Sequence, residues 1–246
     1  MKSLRSYFLT FISFIFFLQG CNFLGSYEKG NGKEISVTRK LQPFDHIRIG
    51  GNFEVNLLKG AEEKIIIDAD ENLESLIETK VEGQELQITT PKKLISARKI
   101  RLTITYNQIR EITAYGATLL RNDELLESPD LKLNLEGAGV IDLQLKVSEL
   151  DAQLSGAGLV KLNGYATHAV IRLSGAGGLD AYGLETESCD IDVSGIGGAK
   201  IHVKNRLKAS IEGVGGIDYK GHPASVDKNV SGIGTIKEVE DNEDHT

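Results

Sequence analysis

The sequence predicts an all-β protein folded as a parallel β-helix with coils of about 19 residues. A Gly-x-Gly preceded by Ser or Glu occurs six times, at intervals of 18 to 20 residues. A fixed period of this length is typical of a solenoid, in which each unit stacks on its neighbours. Apolar residues also recur at fixed even distances from each glycine pair. The first glycines of the pairs are Gly137, Gly156, Gly175, Gly195, Gly213 and Gly232.

The apolar positions indicate how each unit is built. They lie six before, two before and four after the first glycine, and even offsets place side chains on one face of an extended chain. Each unit is therefore predicted to be two short strands joined at a glycine corner, where the next coil, about 4.8 Å away, leaves little room for a side chain. In these positions stand Leu131, Leu150, Ala169, Cys189, Leu207 and Val226; Leu135, Leu154, Leu173, Val193, Ile211 and Val230; and Ile141, Val160, Leu179, Ala199, Ile217 and Ile236.

Charged residues five after the first glycine alternate in sign in every unit. Because the offset is odd, these side chains are expected to point outward, and in a parallel stack each faces an opposite charge in the neighbouring coils. In an antiparallel meander the equivalent positions would lie two strands apart, so the alternation favours the parallel stack. The residues are Asp142, Lys161, Asp180, Lys200, Asp218 and Lys237; a partial second ladder, broken at Val170, holds Lys132, Asp151, Asp190, Lys208 and Asp227.

Residues 1–20 have the features of a lipoprotein signal peptide. Lys2 and Arg5 precede an apolar run over 7–18 that is too short to span a bilayer. The run ends at Leu-Gln-Gly-Cys, which resembles the bacterial lipoprotein signal and predicts a lipid on Cys21. The alternative is an ordinary secretory signal with an incidental cysteine. A lipid on Cys21 would leave Cys189 without a disulfide partner in the chain, and its apolar phase predicts a buried free thiol.

The rest of the chain divides into three predicted parts. Residues 21–34, with three glycines, are expected to form a flexible tether; residues 35–237 form the β-helical head; and residues 238–246 form a solvated acidic tail. The head begins with a less regular capping part, as expected at the end of a solenoid. Its alternating segments at 47–49, 53–57, 65–67, 86–88 and 100–106 predict strands, and the spacing over 71–79 predicts a short helix or turn.

The chain resembles the head GIN domain family, whose members are described as auto-transporter adhesins and are common among Bacteroidetes-type lipoproteins. The resemblance rests on Phe-Asp-His-Ile-Arg-Ile-Gly-Gly at 44–51, on 70–73 and 81–88, and on the repeated Ser-Gly-Ala-Gly and Ser-Gly-Ile-Gly. It implies a right-handed β-helix and a location in the cell envelope. It carries no catalytic residues. The sequence departs from the family at 106–109, where the family tends to place a proline, and at 115–118, where the second glycine is missing.

The composition and the scattered polar residues point away from several functions. A net charge of −7 disfavours nucleic acid as a partner, and the Gly-x-Gly segments lack the third glycine and the following helix of a dinucleotide site. Lys in alternate units argues against a calcium-binding β-roll around Asp218. We predict no catalytic, cofactor-binding or metal-binding residues. Tyr165, Tyr182 and Tyr219, and His168, His202 and His222, fall at unequal distances from their glycines.

Two classes of function remain open. The first is a non-enzymatic envelope lipoprotein, adhesin-like or structural, attached to the membrane, most simply the outer membrane, through its lipid and presenting a rigid surface to a protein or glycan. The second is a carbohydrate-active enzyme of the β-helix type, which would need acids and bases grouped across neighbouring coils. End-to-end assembly is a third prospect, disfavoured by Glu238, Glu240 and Asp241 because charges discourage edge pairing.

Overall fold

The protein is an all-β solenoid of about seven turns in a computed structural model that describes residues 27–240. This confirms the fold predicted from the repeat. The repeated part comprises β12 (Leu126–Leu135), β13 (Val140–Leu154), β14 (Leu159–Leu173), β15 (Gly178–Val193), β16 (Ile196–Ile211), β17 (Val214–Lys220), β18 (Ser225–Val230) and β19 (Ile233–Glu238). We number its coils 1 to 6 by their first glycines, from Gly137 to Gly232.

Successive coils pair in parallel with their equivalent positions aligned. Leu135 pairs with Leu154, and Leu154 with Leu173. The predicted charge ladder has the same register: Asp142 pairs with Lys161, and Lys200 with Asp218. The column extends one coil further toward the N-terminus, because Arg121 of the preceding strand pairs with Asp142. The alternation of sign therefore follows the stack as predicted.

The glycine corners are required by the stacking itself. A Cβ placed on Gly156 would lie 1.8 Å from the carbonyl oxygen of Gly137, and one on Gly175 would lie 1.9 Å from that of Gly156. Neither glycine has a positive φ. The close approach of the backbone in the preceding coil, and not an unusual backbone conformation, therefore dictates glycine at these corners.

The N-terminal part caps the solenoid with mixed strand pairing. Strands β3 and β4 stack in parallel on β10 and β11, whereas β2 and β9 flank β5 in antiparallel orientation. The elements of this part are β1 (Tyr27–Lys29), β2 (Glu34–Lys40), β3 (His46–Gly51), β4 (Glu54–Lys59), β5 (Lys64–Asp70), α1 (Glu71–Glu74), β6 (Glu78–Glu82), β7 (Glu85–Thr89), β8 (Lys93–Ile95), β9 (Arg101–Tyr106), β10 (Glu111–Gly116) and β11 (Leu119–Asn122). The five strand segments predicted here lie in β3, β4, β5, β7 and β9, except that Phe53 and Ile100 each fall one residue before their strand.

The short helix or turn predicted over 71–79 is confirmed. It consists of the four residues of α1 and a turn, after which the chain enters the β6–β7 hairpin. The helical spacing buries Leu73 and Ile77 in the core. In the segment expected to be a flexible tether, Tyr27–Lys29 pairs with Lys93–Ile95, and Gly30 donates to the carbonyl of Ile95. The ordered part thus begins by Tyr27, earlier than predicted.

The last coil ends the core differently from the others. The inner side chains of coils 1 to 5 are buried, but Val226 is 39% and Val230 44% exposed, since no further coil covers them within residues 27–240. Between them, Lys228 pairs with Ala209 and therefore occupies an inner position that is apolar in the coils below. Its Nζ donates to the carbonyl of Ile236 at 3.2 Å and lies 4.7 Å from the centre of the Tyr219 ring. An inward-pointing lysine thus covers the open end of the core.

Candidate functional site

A polar groove lies on the outer surface across several neighbouring coils. Its volume is about 740 Å³. Its side chains belong to the start of β3, to β10, β12 and β13, and to the segments that precede β3, β7 and β10. The groove is lined by Asp45, His46, Gln84, Gln108, Arg110, Glu111, Asp130, Leu131, Lys132, Glu149 and Asp151.

His46 is held between two carboxylates of the groove. Its Nδ1 donates to Oδ1 of Asp45 at 2.6 Å, and its Nε2 lies 3.8 Å from Oε2 of Glu111. The backbone N–H groups of Asp45 and His46 both donate to the carbonyl of Gln84 at 3.0 Å. The backbone and the two acids together fix the position of the imidazole.

Arg110 and Lys132 extend this network to the next coil. Nη1 of Arg110 lies 3.3 Å from Oδ1 of Asp130, and its Nε lies 3.8 Å from Oδ2 of Asp45. Nζ of Lys132 lies 3.4 Å from Oε1 of Glu111. Cations therefore face the acids Asp45, Glu111 and Asp130, and the groove presents donors and acceptors at fixed positions. Such a network suits binding to a polar ligand.

The sequence did not reveal this groove. His46 pairs with both Glu85 and Glu111, and Glu111 pairs with Lys132, so the partial second ladder continues as polar side chains into the N-terminal part. The signal was therefore present in the residue types. It was missed because β3, β7 and β10 come together through connections of unequal length, so that no constant period aligns them.

The histidines and tyrosines that fall at unequal distances from their glycines occupy separate surroundings. Nδ1 of His168 lies 2.5 Å from Oγ of Ser188, and Nδ1 of His222 lies 2.8 Å from Oε1 of Glu238. Within residues 27–240 there is no group of three His, Cys, Asp or Glu side chains placed to hold a metal ion. Tyr219 is buried, whereas the hydroxyl of half-buried Tyr165 donates to Glu187 at 3.3 Å. These tyrosines form no aligned platform.

Cys189 is a buried free thiol, as predicted. Burial, with a smaller contribution from the neighbouring carboxylate of Asp190, raises the pKa of the thiol to about 12. The thiol therefore stays protonated and unreactive at neutral pH. The predicted lipid site, Cys21, lies outside the described residues. Within 27–240, no helix has the length and apolar character needed to cross a membrane.

Comparisons with known proteins give one family and a consistent set of folds. The sequence profile of the family described as "Putative auto-transporter adhesin, head GIN domain" matches residues 43–223. A search of curated proteins finds no match.

Solved structures from Bacteroides and Parabacteroides species share this fold. A "putative adhesin" from Bacteroides fragilis is 26% identical, with a TM-score of 0.83 over 86% of this chain and 100% of that one. A "putative adhesin" from Parabacteroides merdae is 25% identical, with a TM-score of 0.68 over 87% of this chain and 99% of that one. A "Putative lipid binding protein" from Parabacteroides distasonis, at 20% identity and a TM-score of 0.71 over 87% of this chain and 100% of that one, shows the fold alone.

Proposed function

Because this chain belongs to the head GIN domain family of auto-transporter adhesins, we propose that it is a non-enzymatic, adhesin-like lipoprotein of the cell envelope. In this proposal a lipid on Cys21 holds the protein to a membrane, most simply the outer membrane, and the solenoid carries the binding surface. The apolar run over 7–18 and the cysteine directly after it support the anchor.

The observation that carries the binding role is the charged network of the polar groove. Asp45, Arg110 and Asp130 come from neighbouring coils, and each contacts the next within 4 Å. Their positions are set by parallel strands and by one another before any ligand arrives. A ligand that contacts them loses less free energy to the ordering of side chains than it would on a flexible loop.

The chemistry of the groove favours a glycan over an apolar ligand. Carboxylates and guanidinium groups, with the amides of Gln84 and Gln108, offer both acceptors and donors for hydroxyl groups. Leu131 is the only large aliphatic side chain among the lining residues, and no aromatic lines the groove. We therefore assign the groove to a hydroxyl-rich polar surface such as a cell-surface polysaccharide.

Binding by the groove is tested with two arginine variants. Arg110→Ala removes a groove guanidinium, whereas Arg206→Ala removes another exposed guanidinium whose partner, Asp190 at 2.9 Å, lies outside the groove. On a glycan array, the full-length protein is expected to bind a set of polysaccharides, and Arg110→Ala to lose at least tenfold in affinity. Arg206→Ala is expected to bind like the unmodified protein. Equal binding by both variants would contradict the role of the groove.

The anchor and the absence of catalysis have their own tests. Cys21→Ala is expected to move the protein from the membrane fraction to the soluble fraction, and incorporation of a labelled fatty acid should stop.

Incubation with the polysaccharides bound on the array is expected to leave their chain length unchanged. Degradation that stops in Asp130→Asn or Glu111→Gln would instead support the enzyme alternative.

A further inference from the structure

Five large apolar side chains are exposed together on one outer face of coils 1 to 6. They are half of the exposed large apolar side chains among residues 27–240, and they lie in two adjacent columns that run along the stack. Ile196 and Ile233 are 66% and 74% exposed. An exposed apolar strip of this kind on a soluble surface marks a contact with another molecule. The five are Val140, Leu159, Ile196, Val214 and Ile233.

We define the corner face by three columns of outward-pointing residues. The corner column is the residue between the two glycines of each coil, the middle column lies two residues later, and the charged column two residues later again. In coil order the columns are Ala138, Ala157, Ala176, Ile196, Val214 and Ile233; Val140, Leu159, Gly178, Gly198, Gly216 and Thr235; and Asp142, Lys161, Asp180, Lys200, Asp218 and Lys237.

The glycines of the middle column are not required by the fold. A Cβ on Gly178 would come no closer than 3.4 Å to its nearest neighbour, and one on Gly198 or Gly216 no closer than 3.5 Å. None of the three has a positive φ. Glycine within a strand costs about 0.5–1 kcal/mol relative to alanine. The packing within the chain therefore does not explain why glycine occupies these three positions. The close approach of another molecule would explain it.

The three columns are complementary to their own reversed copies. We consider two corner faces that meet with their solenoid axes antiparallel and with the two-fold axis between coils 3 and 4. In this arrangement coil 1 faces coil 6, coil 2 faces coil 5 and coil 3 faces coil 4. The small residues Ala138, Ala157 and Ala176 then face Ile233, Val214 and Ile196. In the middle column, Leu159 faces Gly216, Val140 faces Thr235 and Gly178 faces Gly198. In four of these six pairs a large side chain thus meets a small one, as in a well-packed core.

The charged column fits the same arrangement without exception. Asp180 faces Lys200, Lys161 faces Asp218, and Asp142 faces Lys237, so every charge meets an opposite one. An arrangement in which each coil faced its own copy would instead set Asp against Asp and Lys against Lys. Complementary charges of this kind select the partner and its register.

We propose that the corner face is the interface of an antiparallel, two-fold symmetric homodimer. Each face supplies both the large side chains and the alanines and glycine that receive them, which is the condition for an interface made of one surface patch used twice. The dimer requires neither a lipid anchor nor a glycan. One consequence rests on the proposed function: antiparallel chains hold their N-terminal ends at opposite ends of the dimer, so copies anchored on two facing membranes would join them.

Charge exchange tests the interface in solution. In sedimentation experiments on the full-length chain in detergent, the unmodified protein is expected to be a dimer. Lys200→Asp and Asp180→Lys should each be monomeric, because each places two pairs of like charges in the interface. An equimolar mixture of the two variants should recover the dimer, because in the mixed pair every contact is again between opposite charges. Lys208→Asp, which disturbs the other ladder in the same way, should remain dimeric.

Cross-linking tests the orientation and does not depend on the charge variants folding. Leu159 and Gly216 lie three coils apart in one chain, about 14 Å along the stack, which is beyond the reach of a disulfide. In the antiparallel dimer they face each other. The double variant Leu159→Cys with Gly216→Cys is expected to form a disulfide-linked dimer under mild oxidation, and the two single variants are not. Cross-linking of the single variants to the same extent would overturn this geometry.

Other outcomes also bear on the proposal. An unmodified chain that stays monomeric at its highest soluble concentration, or a variant mixture that stays monomeric, would refute the interface. Dimers in solution without glycan binding would support the proposed interface and contradict only the proposed glycan site in the groove. Aggregation of cells that display the protein, lost in Lys200→Asp and in Cys21→Ala alike, would support contact between facing membranes.

Discussion

At the residue scale, two kinds of glycine in this chain have different causes. A Cβ added to a corner glycine such as Gly175 would lie 1.9 Å from the carbonyl oxygen of the glycine in the preceding coil. The glycines of the middle column, such as Gly198, meet no such neighbour. Both kinds recur with the repeat, so the sequence does not distinguish them. The distance from an added Cβ to its nearest neighbouring atom does, because it shows which glycines the stacking requires and which it does not.

This difference predicts opposite effects of one substitution. Gly175→Ala is expected to lower the free energy of unfolding by about 3 kcal/mol, because the new methyl group forces the stacked backbones apart. Gly198→Ala is expected to raise it by about 0.5 kcal/mol, because a strand position gains a residue with less freedom in the unfolded chain. Thermal and urea unfolding at low protein concentration measure both while dimerisation contributes least. A comparable loss in both variants would contradict the steric explanation.

At the element scale, the sequence predicted the strands better than their ends and partners. The alternating segments of β3, β5 and β7 were recognisable because one face of each is buried. Their pairing was not, since β2 and β5 are antiparallel while β3 and β10 are parallel. The same limit concealed the polar groove, whose His46 and Glu111 meet only through that pairing. The four-residue α1 shows that helical spacing alone does not extend a helix when the chain returns to the sheet.

The open end of the last coil gives a prediction about β18. Replacing Lys228 with Leu removes the inward charge and makes the end of the core apolar. In the described residues β18 and β19 each pair on one side only. An apolar end beside unpaired strand edges favours pairing with another chain. The variant is expected to form larger, concentration-dependent assemblies in light scattering, beyond the size of the dimer. Asn229→Leu, which places the same leucine on the outward side of the same strand and away from the corner face, serves as the matched control and should not do so. Absence of larger assemblies in Lys228→Leu would show that the exposed end needs no such protection.

At the scale of the whole molecule, the repeat determines the architecture but not its two ends. Every coil from 1 to 5 buries its inner side chains against a neighbour, which is why a period in the sequence sufficed to predict the solenoid. Coil 1 stacks on β10 and β11 at its N-terminal side, whereas the last coil has no such neighbour on its outer side among the described residues. The chain closes one end with the mixed sheet of β2, β5 and β9 and the other with a single lysine. These solutions obey no period, so the repeat could not predict them.

The two charge ladders extend along the stack and give a final prediction. Lys208 pairs with Asp190 on one side and Asp227 on the other, so Lys208→Asp would set three acids in adjacent coils. Each like-charge contact of this exposed kind costs about 0.2–1 kcal/mol at low salt and less at high salt, because the screening length falls from about 10 Å at 0.1 M to about 3 Å at 1 M.

The melting temperature of Lys208→Asp is therefore expected to fall in low salt and to recover most of that loss in 1 M salt. The control is Lys40→Asp, which changes the net charge equally but faces Lys64 across β2 and β5, so that it removes a like-charge contact. Calorimetry at both salt concentrations should find Lys40→Asp at least as stable as the unmodified protein. A loss in Lys208→Asp that is independent of salt would mean that its effect comes from packing and not from the alternating charges of neighbouring coils.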